Sequence, residues 1–358
     1  MIIIKIISVV GARPQFIKCV PVSKELRKNN HEILIHTGQH YDYEMSRLFF
    51  DQLDIPEPDH YLGIGSASHG VQTGRMLIGL EKIFLKEKPD AVLIYGDTNS
   101  TLAGAITSGK LKIPMGHIEA GLRSFDRTMP EEINRIVADH LSNFLFAPTK
   151  TAVYNLKNEG IFKKVFLVGD VMYDALKQNI KIAKKSKILK NLDIKPKEYF
   201  LTTIHRPSNT DDIHNLSNIL KAFSSTYEKI VFPIHPRTEK FIKKYDLGKK
   251  ISKNICIIKP VSYFDFMWLE KNAKKILTDS GGIQKEAYLM KVPCITLREN
   301  TEWIETINDG WNILVGAHKE KILDAINNFK PNGKQSNHFG KGDASKKIVK
   351  ILEIYGAR

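Results

Sequence analysis

Ten short apolar runs, separated by longer amphipathic stretches, constrain this chain more than any other feature of its sequence. In the first half they occupy residues 2–10, 32–37, 90–96, 113–118 and 143–148, and in the second 199–205, 229–235, 254–260, 274–280 and 292–297. Each is too short for a buried helix and rich in β-branched residues, which predicts strands. The stretches between the early runs repeat apolar residues at helical spacing, predicting helices near 16–29, 66–87, 98–110 and 130–142. Strand and helix alternating this often require a parallel sheet covered on both faces. At 358 residues the chain exceeds one hydrophobic core, so two doubly wound α/β domains are expected. A lysine-rich segment at 181–198 puts the boundary near it, just after Val168-Gly169-Asp170. The expected domains are residues 1–170 and 171–343, with a last helix at about 344–358 returning to the first. Ligands of such sheets bind outside the carboxyl ends of the strands, which predicts a site in the cleft between the domains.

Composition excludes several classes. The opening run is interrupted by Lys5 and is far shorter than a membrane span, so it reads as a strand of a cytoplasmic protein with no membrane partner. Cys19, Cys256 and Cys294 show no C-x-x-C spacing, which argues against a disulfide framework and against a zinc site. The formal charge of +15 is spread over the chain as lysine pairs, not gathered on one helix face, and this disfavours a nucleic-acid partner.

Chemistry-bearing residues collect where the apolar runs stop. After the first run, GARPQFIK (11–18) offers Gly11 for a tight turn, Arg13 and Lys18 as cations, and a helix start near Phe16. The segment lacks G-x-G-x-x-G and any Walker pattern, so no nicotinamide cofactor is implied, and it reads either as an anion site or as an ordinary turn. Asp97 and Glu119 end two successive strands, and Pro130 opens a helix whose first turn holds Glu131 and Glu132. In the second half His205 and Arg206 end one strand, and His235 and Arg237 another. The segment LTDSGGIQKEA (277–287) has the form of a phosphate cradle: Ser280, Gly281 and Gly282 let backbone approach oxygen, and the following helix, expected from about Ile283, presents its N-terminus.

These segments, with TGQHYD, GDTNS, HIEAGLRS, MPEEINR, IHRPSN, HPR and LRENTEW, resemble the non-hydrolysing UDP-N-acetylglucosamine 2-epimerases over nearly the whole chain. The resemblance implies a GT-B-type architecture of two Rossmann-like domains and no cofactor. It also implies interconversion of UDP-N-acetylglucosamine and UDP-N-acetylmannosamine by loss and re-addition of UDP through 2-acetamidoglucal. Carried over by position, Asp97, Glu119 and Glu131 are the carboxylates near the sugar, and His205 lies near the leaving diphosphate. Arg13 and Ser280-Gly281-Gly282 contact the diphosphate, Glu286 the ribose, Phe266 the uracil, and Lys18 is a cation on the sugar side. A second UDP-N-acetylglucosamine, bound as activator, would meet Gln39, His40, Arg75, Arg206 and His235, and a homodimer through the first domain is expected. In HIEAGLRSFDRTMPEEINR (117–135), Asp126, Arg127 and Glu132 are then left to the surface or the helix start, while Arg123 and Arg135 hold the carboxylates.

Two segments depart from the family pattern. Q-E-E-A becomes Gln284-Lys285-Glu286-Ala287, and T-E-R-P-E becomes Thr301-Glu302-Trp303-Ile304-Glu305. The second leaves open a UDP-linked acetamido-uronic acid, such as UDP-2,3-diacetamido-glucuronate, as substrate. A nucleotide-sugar sensor without catalysis is the alternative from another class.

Overall fold

The computed structural model describes residues 3–39 and 56–356. It divides into two compact units, Met1–Lys177 with Asn337–Arg358, and Gln178–Ser336, the first division falling inside the helix Val171–Ala183.

The first unit carries seven parallel strands in the order β3-β2-β1-β4-β5-β6-β7. They are β1 (Lys5–Val10), β2 (His31–His36), β3 (His60–Tyr61), β4 (Ala91–Tyr95), β5 (Met115–Ile118), β6 (Phe144–Ala147) and β7 (Val165–Leu167). One face packs on the helix His69–Glu87, whose Met76, Leu80 and Phe84 recur every four residues and bury against Ile7, Val9, Ile33 and Ile35. Each such side chain contributes about 1.5–3 kcal/mol by leaving water. The last helix, Ala344–Gly356, is fastened to the same unit at both ends. Asp174 accepts the amides of Ala344 and Ser345 at 3.1 and 2.8 Å, and Asn30 Nδ2 donates to Glu353 Oε1 at 3.0 Å.

The second unit carries six parallel strands in the order β10-β9-β8-β11-β12-β13. These are β8 (Tyr199–Thr203), β9 (Lys229–Pro233), β10 (Ile255–Ile258), β11 (Lys275–Thr278), β12 (Cys294–Thr296) and β13 (Asn312–Leu314). Phe200, Leu216, Leu220, Phe223, Ile230, Phe232 and Leu277 form its core. Both sheets have the doubly wound order, which reverses between β1 and β4 in one unit and between β8 and β11 in the other. The carboxyl ends of those four strands are the places where such sheets bind ligands.

Every apolar run lies on a strand. The short strands β3, β7 and β13 had no such run to announce them. The first helix begins at Arg13, three residues before its expected start, because Pro14 supplies a preset φ at the first turn. Among the described residues no helix is long and apolar enough to cross a membrane.

Candidate active site

In the first unit the turn after β1 needs glycine for lack of room. A β-carbon at Gly11 would lie 2.0 Å from Thr37 Oγ1 and 2.2 Å from Ser100 Oγ. Gln15, buried in the first turn of the helix Arg13–Leu26, accepts the amides of Gly11 and Ala12 at 2.9 and 3.1 Å and donates to the Tyr95 carbonyl at 2.8 Å. The amides of Gly11 and Ala12 are therefore occupied, and an anion at this turn would meet the half-buried Arg13, whose pKa burial lowers, in place of those amides.

One turn further along that helix, the buried Lys18 bonds to Glu119 through Nζ and Oε2. The pair lies against Gly96, where a β-carbon would be 3.0 Å from Lys18 Nζ and 3.3 Å from Glu119 Oε2. Glu119 follows β5 with φ +76°. Asp97 follows β4, and its carboxylate takes Arg135 Nη2 at 2.5 Å while its carbonyl accepts Asn134 Nδ2 at 2.9 Å. Lys18, Asp97 and Glu119 thus gather at the ends of two adjacent strands. Glu131 is half-buried in the first turn of the helix Pro130–Leu141, one turn before the Asn134 and Arg135 that hold Asp97.

One expectation for this stretch changes and another narrows. Glu132 is not at the surface: 1% exposed, it accepts the amides of Ser124 and Phe125, both at 2.9 Å, and Arg135 Nη1 at 3.0 Å. Its carboxylate closes the 122–125 loop onto the helix start, satisfying amides that would otherwise be buried alone. Arg123 holds none of the carboxylates expected near the sugar; it donates to Glu159 through Nε and Nη2, both at 2.6 Å, and to Asp139 through Nη1 at 2.7 Å. Arg135 does hold one of those expected carboxylates, Asp97. Asp126 accepts the amide and hydroxyl of Thr128 in an exposed turn, and Arg127 is exposed.

In the second unit the organiser is Asp279, which sequence reading passed over inside the LTDSGG motif. Fully buried, it accepts the amides of His205 at 3.0 Å and Arg206 at 2.9 Å and the side chain of Asn209 at 3.1 Å. His205 Nδ1 lies 3.4 Å from Asp279 Oδ1, and its ring is 5.7 Å from that of His235. Loss of solvent around the His205 ring outweighs the pull of Asp279, and Arg206, Arg237 and Arg298 add to the effect, so its pKa is lowered and the neutral imidazole is favoured.

The helix after Ser280 begins at Gly281, not near Ile283, so both glycines lie in its first turn. Its buried side meets a tight group: a β-carbon at Gly281 would be 3.3 Å from Glu302 Oε2, 3.6 Å from Trp303 Nε1 and 3.9 Å from Arg298 Nη1. Arg298 grips Glu302 with two bonds of 3.1 and 3.0 Å. The two departures from the family pattern meet here, since the buried Lys285 sets its ammonium 4.1 Å from the centre of the Trp303 ring. Glu286 is buried on the same helix; its charge and burial together push the Glu270 carboxyl well up, with burial the larger cause. Phe266 is half-buried on the helix Tyr263–Asn272.

The residues expected around an activator divide. Gln39 accepts the amide and hydroxyl of Ser100 at 3.0 and 2.7 Å, and His40 lies outside the described residues. Arg75 is exposed on the helix His69–Glu87, and Arg206 is half-buried beside His205. His235 caps the helix Pro236–Lys244, its Nδ1 accepting the Arg237 amide at 3.1 Å.

With this geometry in place, comparison with known proteins decides the family. The model of the UDP-N-acetylglucosamine 2-epimerase family matches residues 24–353. The chain belongs to that family. A protein of Methanococcus maripaludis described as a UDP-N-acetylglucosamine 2-epimerase homolog is 60% identical over 353 residues, covering 97% of this chain and 99% of its own. The UDP-2,3-diacetamido-2,3-dideoxy-D-glucuronate 2-epimerase of Pseudomonas aeruginosa is 45% identical, covering 97% of this chain and 99% of its own. The crystal structure of the Methanocaldococcus jannaschii UDP-GlcNAc 2-epimerase in complex with UDP-GlcNAc and UDP is 49% identical, with a TM-score of 0.90 over 98% of this chain and 99% of that one. The family is one of isomerases with a two-sheet α/β fold, and this chain's two parallel sheets have that form.

Proposed function

We propose that this protein is a reversible 2-epimerase of UDP-N-acetylglucosamine. The single observation carrying the reading is the gathering of Asp97 and Glu119 at neighbouring strand ends, each already paired with a cation. The hydrogen at C2 of the sugar has no adjacent carbonyl to acidify it, so its removal must be coupled to departure of UDP from C1. The C2–H pair becomes the C1=C2 double bond, and the C1–O pair leaves with the diphosphate. Addition of UDP and a proton to the 2-acetamidoglucal so formed, from the other face at C2, gives UDP-N-acetylmannosamine. Asp97, Glu119 and Glu131 handle the C2 proton, with Lys18 as the cation on the sugar side. Arg13 and the Ser280-Gly281-Gly282 helix start stabilise the leaving diphosphate, and the neutral imidazole of His205 stands ready to give it a hydrogen bond. Glu286 binds the ribose and Phe266 the uracil.

A second substrate, a UDP-2,3-diacetamido-glucuronate, is supported by the Pseudomonas relative and by Trp303 standing where the family pattern has arginine. Binding of a second UDP-N-acetylglucosamine at Gln39, His40, Arg75, Arg206 and His235 is proposed as the route of activation. A homodimer is supported by Val71, Ile78 and Leu85, exposed at seven-residue spacing along one face of the helix His69–Glu87. A UDP-sugar substrate supports action in the cytoplasm.

The test is incubation with UDP-N-acetylglucosamine in deuterated water, followed at C2 by NMR. Deuterium at C2 with a manno product is the expected outcome. Free N-acetylmannosamine would mean hydrolysis, and binding without exchange would mean a sensor. Turnover of the diacetamido-uronate alone would overturn the substrate and leave the reaction type standing.

A further inference from the structure

Behind Asp97 and Glu119 lies a buried pair, His117 and Asp139, to which no role is given above and which touches both segments that carry those carboxylates. His117 is fully buried on β5, two residues before Glu119. Its Nε2 lies 2.7 Å from the carbonyl oxygen of Gly96, the residue before Asp97, and its Nδ1 lies 2.7 Å from Asp139 Oδ1. The other oxygen of Asp139 accepts the amide of Gly121 at 3.0 Å and Arg123 Nη1 at 2.7 Å. Gly121 comes two residues after Glu119, so Asp139 holds the chain on both sides of Glu119. Through the imidazole it also holds the peptide that leads into Asp97. The imidazole thus bridges the Asp139 carboxylate and the Gly96 carbonyl.

The two turns held in this way carry left-handed backbone, which at Glu119 has to be held in place by its surroundings. Gly96, Glu119 and Gly121 have φ of +62°, +76° and +82°; the amides of Gly96 and Glu119 still make cross-strand bonds at the ends of β4 and β5, to the carbonyls of Ile118 and Phe146 at 3.0 and 3.2 Å, and Gly121 lies past them. Two carboxylates on different strands can share one carbon centre only if their backbones keep a fixed spacing, and a shift of about 1 Å can cost about a hundredfold in rate. Buried, fully partnered polar chains of this kind are rigid. We propose that Asp139 and His117 are positioning residues, a buried relay that fixes the Asp97 and Glu119 turns relative to each other during proton transfer. The proposal rests on the 2-epimerase reading for its effect on rate. Burial works to raise the Asp139 carboxyl, but His117 and then Arg123, itself held by Glu159, outweigh it and keep the carboxyl low, so the relay's acceptor stays ionised.

The experiment compares full-length wild type with His117→Gln and Arg123→Lys, each checked for folding by its Tm. In His117→Gln, kcat falls about a hundredfold while KM changes less than about threefold, and more glycal is released per manno product. Arg123→Lys, which loosens only the far end of the relay, folds and loses about tenfold in kcat at unchanged KM. Rates per folded molecule within about threefold of wild type in both variants would overturn the relay. Hydrogen exchange supplies a readout independent of turnover: both variants speed exchange at residues 96–98 as well as at 119–121, and unchanged exchange at 96–98 overturns the proposal. Wild type that epimerises no UDP-N-acetylhexosamine, with exchange changed as described, defeats the 2-epimerase reading and leaves the positional coupling standing.

Discussion

The two units share a strand order, and the acids at their central strand ends are used in opposite ways. In the first unit Asp97 stands 29% exposed, its carboxylate met by the guanidinium of Arg135, and Glu119 is met by the ammonium of Lys18. In the second unit Asp279 is fully buried and is consumed by two backbone amides and an asparagine. A carboxylate paired with side-chain cations can exchange a proton when those cations shift. One bonded to the backbone is part of the scaffold, and what it leaves for a ligand is the helix start beyond it. In the proposed function, topology selects where the ligand sits, and the partner of the strand-end acid selects what is done to it.

The largest expected effects test that contrast. Glu119→Gln and Asp97→Asn each lower kcat by about a thousandfold, with UDP affinity within about threefold of wild type by calorimetry. Asp279→Asn should do the reverse: it destabilises by about 2 kcal/mol in chemical denaturation and weakens UDP binding, because amides that shape the cradle lose a charged acceptor. If Asp279→Asn left UDP binding intact and Glu119→Gln abolished it, the division of labour drawn here would be wrong. Smaller is the coupling of Lys285 with Trp303. A double-mutant cycle with Lys285→Met and Trp303→Leu should give about 1 kcal/mol, and additivity would show that the two departures from the family pattern are independent.

The smallest effect concerns Glu270, whose Oε1 meets no hydrogen-bond donor among the described residues. Burial and then the charge of Glu286 raise its pKa, so the folded protein keeps that proton to a higher pH than the unfolded chain does. Its contribution is fully present below the ordinary glutamate range and is lost as pH rises toward the folded value. Glu270→Gln should therefore change nothing at pH 4 and raise Tm by about 1–2 °C at pH 8.

The strands were legible because a run such as Ala91–Tyr95 is apolar throughout and ends where the chemistry begins. His60–Tyr61 and Asn312–Leu314 were not, since two or three residues at the margin of a sheet carry no period to read. The positions of Asp97, Glu119 and the Ser280 turn followed from strand ends. Their partners did not: Lys18 and Glu119 lie 101 residues apart, and Arg123 reaches Glu159 across 36. Glu132 was left between surface and helix start for a physical reason. An acid in a helix's first turn is favoured by the dipole whether exposed or buried, and only the folding of the 122–125 loop over it tells the two apart. Gln15 and Asp139 gave no signal at all, being ordinary polar residues within helices.

The left-handed backbone of Glu119 sets a limit on improving this protein. A non-glycine residue held there costs about 1–3 kcal/mol, and the buried ammonium of Lys18 commits the site to keeping a negative charge opposite it. The double change Lys18→Met with Glu119→Gly removes both burdens and should melt higher than wild type. Selection of variants for heat resistance alone would therefore drift toward loss of the acid proposed to handle the C2 proton, and any such campaign has to be read out by turnover as well as by melting.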